Sequence, residues 1–393
     1  MPHPARLTLI AVAWLLCVLV ICAEKHPFTA VPPSYQNPVP ATKVNATRDS
    51  PFYKEEFINY AQHIQMAHVA SLAELPDGSL AAVWYGGSYE YWPDVNIYFA
   101  SQTNGVWSVE HSIMTVERAE HDLGRPVKCP GNAILLANPD GTLRLLFITI
   151  AMGKWSGSEL NTCLSHDGGL SWSPVSRLTL SPLFNFSELV RNRPILLATP
   201  QPGADPFWCV PIYQELIGKF PELLWLTVNH GEVIAQKSRI AGGCSTLQPS
   251  LVPLDSRRAV VLLRDYTADK KIFIARTPDA GLTWSKPVPT NLPNPDSGVS
   301  GLRLSDGRLL VAFNNSTLGR EKLSLALSRD EGKSWKVIVK LDNDPDSYSS
   351  YPFLLRTSDG MIHVAYTYTS NAIKMVTFNE AWITDQEAKS QNP

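Results

Sequence analysis

The chain has 393 residues, 44% of them hydrophobic, and a formal net charge of −2. That length allows one large domain or two ordinary ones with a sizeable core, and the near-neutral balance excludes the global basic field that nucleic acid or an anionic membrane surface would require. Its 31 prolines, 23 glycines and 11 tryptophans suit many strands and turns better than long helices.

At the N-terminus Arg6 precedes an apolar run from Leu7 to Ala23 that ends in Ile21-Cys22-Ala23, the pattern of a cleaved signal peptide. The run is also near the lower length limit for a membrane span, so an uncleaved signal anchor is the alternative. Either way the remainder is expected outside the cytosol, secreted, periplasmic or lumenal, with membrane contact only through that segment. Residues 24–60 are rich in Pro, Asn and Thr and read as a lead-in, and residues 386–393 read as a polar tail.

Between them a unit recurs: an apolar strand, an Asp-Gly turn and a second apolar strand. The turns are Asp77-Gly78, Asp140-Gly141, Asp306-Gly307 and Asp359-Gly360, and two weaker copies, Pro206–Tyr213 and Arg258–Arg264, lack the glycine. Apolar runs joined in this way are hairpin signals. Three octapeptides follow the second, fourth and fifth units. They are Ser165-His-Asp167-Gly-Gly169-Leu-Ser171-Trp172, Thr277-Pro-Asp279-Ala-Gly281-Leu-Thr283-Trp284 and Ser328-Arg-Asp330-Glu-Gly332-Lys-Ser334-Trp335. In each, the Asp can close a turn on backbone N–H groups, the Gly can take a positive φ, and the Trp can bury its ring on the adjoining sheet. Degenerate copies begin at Ser101 and Thr227, so the five starts fall at 101, 165, 227, 277 and 328, a period of 50 to 64 residues. About four strands per period is the arithmetic of a propeller. The sequence therefore predicts an all-β, six-bladed β-propeller over residues 61–385, with no strongly signalled helix; a β-sandwich would leave the spacing unexplained.

Outside the leader, Cys129, Cys163, Cys209 and Cys244 allow two disulfides in an oxidising compartment, or serve as small buried apolar residues. Asn45, Asn185, Asn314 and Asn315 each open a glycosylation triplet. No cluster resembles a zinc or calcium site, and no metal or organic cofactor is expected.

The octapeptide resembles the Asp-box of sialidases and of the wider sialidase-like propeller group, and the resemblance runs from residue 62 to about 385. It implies a six-bladed propeller acting on an acidic sugar, in which three arginines grip the carboxylate, a Glu-activated Tyr is nucleophile and an Asp is acid/base, unlike the usual two-carboxylate glycosidase. By position, Arg264 and Arg320 match two of the arginines, and Tyr351, eight residues before Asp359-Gly360, matches the nucleophile, with Tyr348 as its neighbour. Two positions depart from the pattern. His68 stands where the first arginine belongs and Gln248 where the Glu belongs. An imidazole lacks the guanidinium fork, and an amide cannot accept the phenol's proton.

Polar groups at the other strand ends complete the candidate site. Gly86-Gly-Ser-Tyr89-Glu90-Tyr91-Trp92-Pro-Asp94 mixes carboxylates with rings, and makes Glu90 or Asp94 the acid/base candidate. Arg193, Glu215 and Asn294 are candidate substrate contacts, and Arg125 and Lys128 add positive charge. The pattern implies a glycoside hydrolase acting on sialic acid or a related uronic or keto-sugar acid. A glycan-binding propeller without turnover and a uronate lyase using His68 and a Tyr are the alternatives.

Overall fold

In the computed structural model the described residues are 12, 33–36, 50–59, 64–180, 185–198, 207–229, 232–240, 245–342 and 348–391. They form six antiparallel sheets of four or five strands, five of them built from consecutive strands and the sixth joining the last three strands to Tyr53–Phe57. The six-bladed propeller expected from the spacing is therefore observed. In order, the blades open with Met66–Glu74, Cys129–Ala137, the broken pair Leu189–Val190 and Ile195–Leu196, Thr246–Pro253, Ser300–Arg303 and Ser350–Arg356.

The Asp-Gly turns join the first and second strands of blades one, two, five and six. At each, the Asp Oδ1 accepts the backbone N–H two residues on, from Ser79, Thr142, Arg308 and Met361. The glycines take φ of 84°, 89°, 94° and 87°, a region closed to most side chains. The octapeptides lie between the third and fourth strands of blades two, four and five. Both sets of turns thus fall at one end of the propeller, because strands alternate in direction. The starts of the first strands and the ends of the second strands share the opposite end.

The octapeptide geometry repeats. Asp167 Oδ1 accepts from Ser171 N–H at 2.9 Å, and Ser165 Oγ accepts from Gly169 N–H at 2.8 Å. The pair repeats in the other two: Asp279 and Asp330 Oδ1 accept from Thr283 and Ser334 N–H, and Thr277 Oγ1 and Ser328 Oγ accept from Gly281 and Gly332 N–H. Trp172 and Trp284 each donate Nε1–H to their own glycine's carbonyl. Trp335 differs: it is buried, its Nε1 lacks a partner, and its backbone is clasped by Asn291 through two bonds. The glycines have a second duty. A Cβ on Gly169 would stand 2.3 Å from the Phe99 ring of blade one, one on Gly281 would meet Leu223 of blade three, and one on Gly332 would meet Ile274 of blade four. Each turn is therefore a strut packed on the preceding blade. The degenerate copy that begins at Ser101 relaxes into a plain hairpin: Asn104-Gly105 closes Asn96–Thr103 onto Val106–Trp107 with both φ positive.

The core lies between blades. Val83, Ile97 and Phe99 of blade one pack on Leu135, Leu145 and Phe147 of blade two, and similar clusters fill the other junctions. Cys129, Cys163 and Cys209 are buried, free, and placed in three different clusters. They behave as small core residues, and none is disulfide-bonded to another; Cys244 lies outside the described residues.

Several expectations need correction. The lead-in does not end at residue 60. Tyr53–Phe57 pairs with Ala372–Phe378 as the outer strand of blade six, from Tyr53 opposite Phe378 to Phe57 opposite Lys374. Asn379 fastens this closure, accepting from Phe52 N–H and Trp382 N–H and donating to Ser50 O. Helix Glu380–Lys389 runs from the expected propeller into the expected polar tail and buries Trp382 and Ile383 against blades five and six. A further helix, Val116–Leu123, links blades one and two, capped by Thr115 and ended by Gly124 at φ 64°. Its cap residues were readable signals. Asn314 is also excluded as a glycan acceptor, since it is fully buried with its amide bonded to Arg320 O and Ser349 O. The apolar N-terminal run and Asn45 lie outside the described residues, apart from residue 12.

Gly169→Ala and Gly141→Ala separate backbone strain from inter-blade packing. Both glycines sit near φ 90°, and only Gly169 lacks room for a methyl group. Gly169→Ala is expected to cost about 1–3 kcal/mol more than Gly141→Ala in urea unfolding, the overpacking term alone. Equal losses would show that the struts are not packing contacts.

Candidate active site

Four of the first strands carry β-bulges near their starts. The register slips between His68 and Ser71, Gly131 and Ala133, Leu247 and Ser250, and Ser350 and Phe353. In three of them a non-glycine residue is left-handed: Val69 at φ 53°, Gln248 at 51° and Tyr351 at 54°. Such bulges re-aim side chains and free backbone groups from the ladder, and left-handed residues of this kind persist only where surroundings hold them.

The surroundings are Arg191 and Asn192 of blade three. Asn192 Nδ2 donates to the carbonyls of Gln248 and Pro249, both 2.9 Å away and both inside the blade-four bulge. Arg191 donates from Nη2 to Pro352 O inside the blade-six bulge at 2.7 Å, and from Nη1 to Val299 O at 2.9 Å. It is buried, and burial lowers its pKa to about 10, with nearby Arg264 and Arg320 adding to the effect against Tyr351 and Tyr213. Gly298 makes room for it, as a Cβ there would lie 2.7 Å from the guanidinium. One buried cation thus fastens blades three, five and six where the bulged strands begin.

The re-aimed side chains gather above it. Arg264 Nε donates to Asp296 Oδ1 at 2.7 Å and its Nη1 to Gln248 Oε1 at 3.2 Å. Arg320 donates to Asp296 O at 2.6 Å and to the Tyr348 hydroxyl. Asp296, itself left-handed at φ 60°, therefore spaces the two guanidiniums. Because a guanidinium only donates, Gln248 must turn Oε1 to Arg264, and its Nε2 then donates to the Tyr213 hydroxyl at 3.2 Å. Asn132 Nδ2 donates to the same hydroxyl at 3.0 Å.

Tyr351 lies among the cations, with the Arg320 and Arg191 guanidiniums 5.0 and 5.4 Å from its ring centre. Burial pushes its pKa up, but the charges of Arg264 and Arg320 outweigh burial and hold it below the ordinary phenol value. The His68 ring meets it edge-on at 4.9 Å. Burial, then Arg320 and Arg191, lower His68 to about 3, so it is neutral near pH 7, and its buried Nδ1 has no partner. Its approach to Glu90 Oε1, 3.7 Å, is therefore not an ion pair at that pH. Glu90 Oε1 accepts instead from the buried Tyr85 hydroxyl at 2.9 Å. The sign of the His68 shift also bears on stability. An unfolded imidazole takes a proton near pH 6.5 and the folded one resists until about 3, so this residue removes stability as pH falls through that window.

Tyr351, His68, Gln248, Arg264, Arg320 and Glu90 thus converge. The other candidates do not. Asp94 is exposed and accepts from the Ser88 N–H and hydroxyl, closing its own loop. Asn294 is fully buried, and its amide exchanges two bonds with the Ser297 backbone. Its role is to build the turn that presents Asp296. Glu215 Oε2 is bound by Lys219 at 2.6 Å. Arg193 is half-buried, desolvation lowers its pKa to about 10, and its Nε is unpartnered. Arg125 is tied to Glu159. Reasoning from spacing missed Asp296, Tyr213 and the axial role of Arg191 and Asn192. The only signal for Arg191 was an Arg-Asn pair beside a weak unit.

No curated protein matches the sequence. Solved structures similar to this fold include a Hadza microbial sialidase, at TM-score 0.63 and 17% identity over 82% of this chain and 68% of that one. The NanB sialidase of Streptococcus pneumoniae aligns at TM-score 0.60 and 12% identity, over 82% and 70%. A Dyadobacter fermentans protein of unknown function aligns at TM-score 0.63 and 15% identity, over 83% and 99%. These likenesses concern the sialidase-like propeller fold. The profile of the BNR repeat-like domain matches residues 78–364, and the chain belongs to that family.

Proposed function

We propose that this propeller cleaves glycans at an acidic sugar, holding the sugar carboxylate on Arg264 and Arg320 and reacting through Tyr351. The observation that carries this reading is the placement of a half-buried phenol against the Arg320 and Arg191 guanidiniums, with the charges of Arg264 and Arg320 depressing its ionisation. A carboxylate-bearing ligand fits paired, pre-oriented forks better than lysines would allow. The similarity to structures named as sialidases supports an acidic sugar as substrate class.

In the hydrolytic form, Tyr351, having lost its proton to solvent in the guanidinium field, attacks the anomeric carbon as the phenolate while the Glu90 carboxyl protonates the departing oxygen. The carboxylate so formed then takes a proton from water, which attacks the anomeric carbon and releases Tyr351. Gln248 cannot remove the Tyr351 proton, so the guanidinium field does the activating work that a carboxylate base would otherwise perform. Gln248 instead fixes Arg264 relative to Tyr213.

A specific observation favours a second form. Neutral His68, with its free Nδ1, contacts Tyr351 edge-on, and no carboxylate occupies the place of Gln248. Such a pair suits β-elimination from a uronate. One of the two groups takes the proton at C5, the arginines stabilise the charge developing on the carboxylate, and the other protonates the leaving O4. The product then carries a 4,5 double bond.

Purified protein offered a fluorogenic sialoside and a panel of uronate oligosaccharides separates these forms by product. Free sugar acid marks hydrolysis, an unsaturated chromophore marks elimination, and binding without any product overturns the enzymatic reading. Tyr351→Phe is expected to lower kcat at least about a hundredfold, and Arg320→Lys to raise KM about tenfold by loss of the fork. Unchanged turnover in Tyr351→Phe would remove Tyr351 from the chemistry. Because His68 stays neutral down to about pH 3, the profile of kcat/KM is expected to lack a histidine limb near pH 6.5. A limb there that disappears in His68→Gln would contradict the assigned ionisation.

A further inference from the structure

We propose that the rim between blades one and two carries a second subsite, for an anionic group on the leaving-group side of the glycan; this rests on the reading that the Tyr351 site grips a sugar acid. Aromatic rings run outward from that site without a gap. His68 contacts Tyr85 at 5.7 Å, Tyr85 contacts Trp155 at 6.0 Å, and Trp155 contacts Tyr91 at 5.1 Å. Tyr85 is buried beneath this run, so the platform open to a sugar face consists of the half-buried Trp155 and Tyr91. The run passes Glu90, the proton donor, so whatever lies beyond it meets the leaving group rather than the gripped sugar.

At its outer end the platform becomes positively charged. The ammonium groups of Lys128 and Lys154 stand 5.7 and 5.6 Å from the centre of the Tyr91 ring. Both side chains are exposed, and neither has a carboxylate partner among the described residues. The nearby acids are engaged: Glu159 is held by Arg125 and Arg177, Glu215 by Lys219, and Glu90 by the Tyr85 hydroxyl. Tyr91 itself is held left-handed at φ 69°. Two unneutralised cations over one ring, continuous with a carboxylate-binding centre, complement a polymer with acid groups on successive sugars. The occupant is thus a second carboxylate or sulfate of the same chain, and the preferred substrate is a polyanionic glycan rather than an isolated terminal acid on a neutral one.

Calorimetric titration of monomer and hexamer pairs of galacturonate, mannuronate and N-acetylneuraminate tests this. Wild-type protein is expected to bind the hexamer of at least one pair about tenfold more tightly than its monomer. Lys128→Gln/Lys154→Gln is expected to erase that advantage and leave monomer affinity unchanged, which also reports intact folding. Arg320→Ala is expected to weaken monomer and hexamer alike. A hexamer advantage that survives the lysine changes, or is absent from the wild type, overturns the subsite while leaving the arginine reading in place. Failure of every monomer and hexamer to bind the wild type overturns both.

Discussion

The hydrogen bonds of Arg191 and Asn192 to bulge carbonyls are the contacts on which the site depends. A bulge removes backbone groups from a sheet ladder, and a buried carbonyl without a donor is costly. Here the carbonyls of Gln248, Pro249 and Pro352 are the ones released, and blade three supplies donors to all three. Without those donors the first strands of blades four and six would gain by returning to regular pairing. Gln248 and Tyr351 would then point to the opposite faces of their sheets, because side chains alternate along a strand.

The same arrangement sets the electrostatics. Arg191 uses its hydrogen bonds on backbone and on Asn192, so its charge is fixed and buried beneath Tyr351. Arg264 and Arg320 share Asp296, one through its carboxylate and the other through its carbonyl, which leaves three guanidiniums against two nearby carboxylates, Asp296 and Glu90. An excess of buried positive charge is tolerable if a nearby group can ionise or an anion can bind. The depressed Tyr351 is one response of the protein to that excess, and in His68 the same charges add to burial in keeping the ring neutral. A sugar carboxylate would be a further response, and this links the fold's energetics to the class of ligand proposed.

Much of the architecture was legible because it is local. An Asp-Gly turn needs only its own residues to form, and an Asp-box needs eight, so spacing alone located the blades. Once the blades were placed, Tyr351, Arg264 and Arg320 could be found by counting from those turns. What escaped was long-range. Arg191 bonds to residues far along the chain, and no local pattern in Arg191-Asn192-Arg193 shows which of the three faces the axis. The closing strand Tyr53–Phe57 pairs with the last sheet across the whole sequence, and its charged, exposed residues gave no core-strand signal. Asp94 and Asn294 misled because both bear suitable groups near the right end, while turn-building within their own loops engages them.

The central claim is that bulge geometry places Tyr351 in a guanidinium field strong enough to overcome its burial. Ultraviolet difference titration of the tyrosines tests it without any substrate. The account predicts one phenol ionising below the ordinary value, absent from Tyr351→Phe and shifted upward in Arg320→Ala. A titration in which every phenol ionises at or above the ordinary value, unchanged by Tyr351→Phe on its acid side, would contradict it.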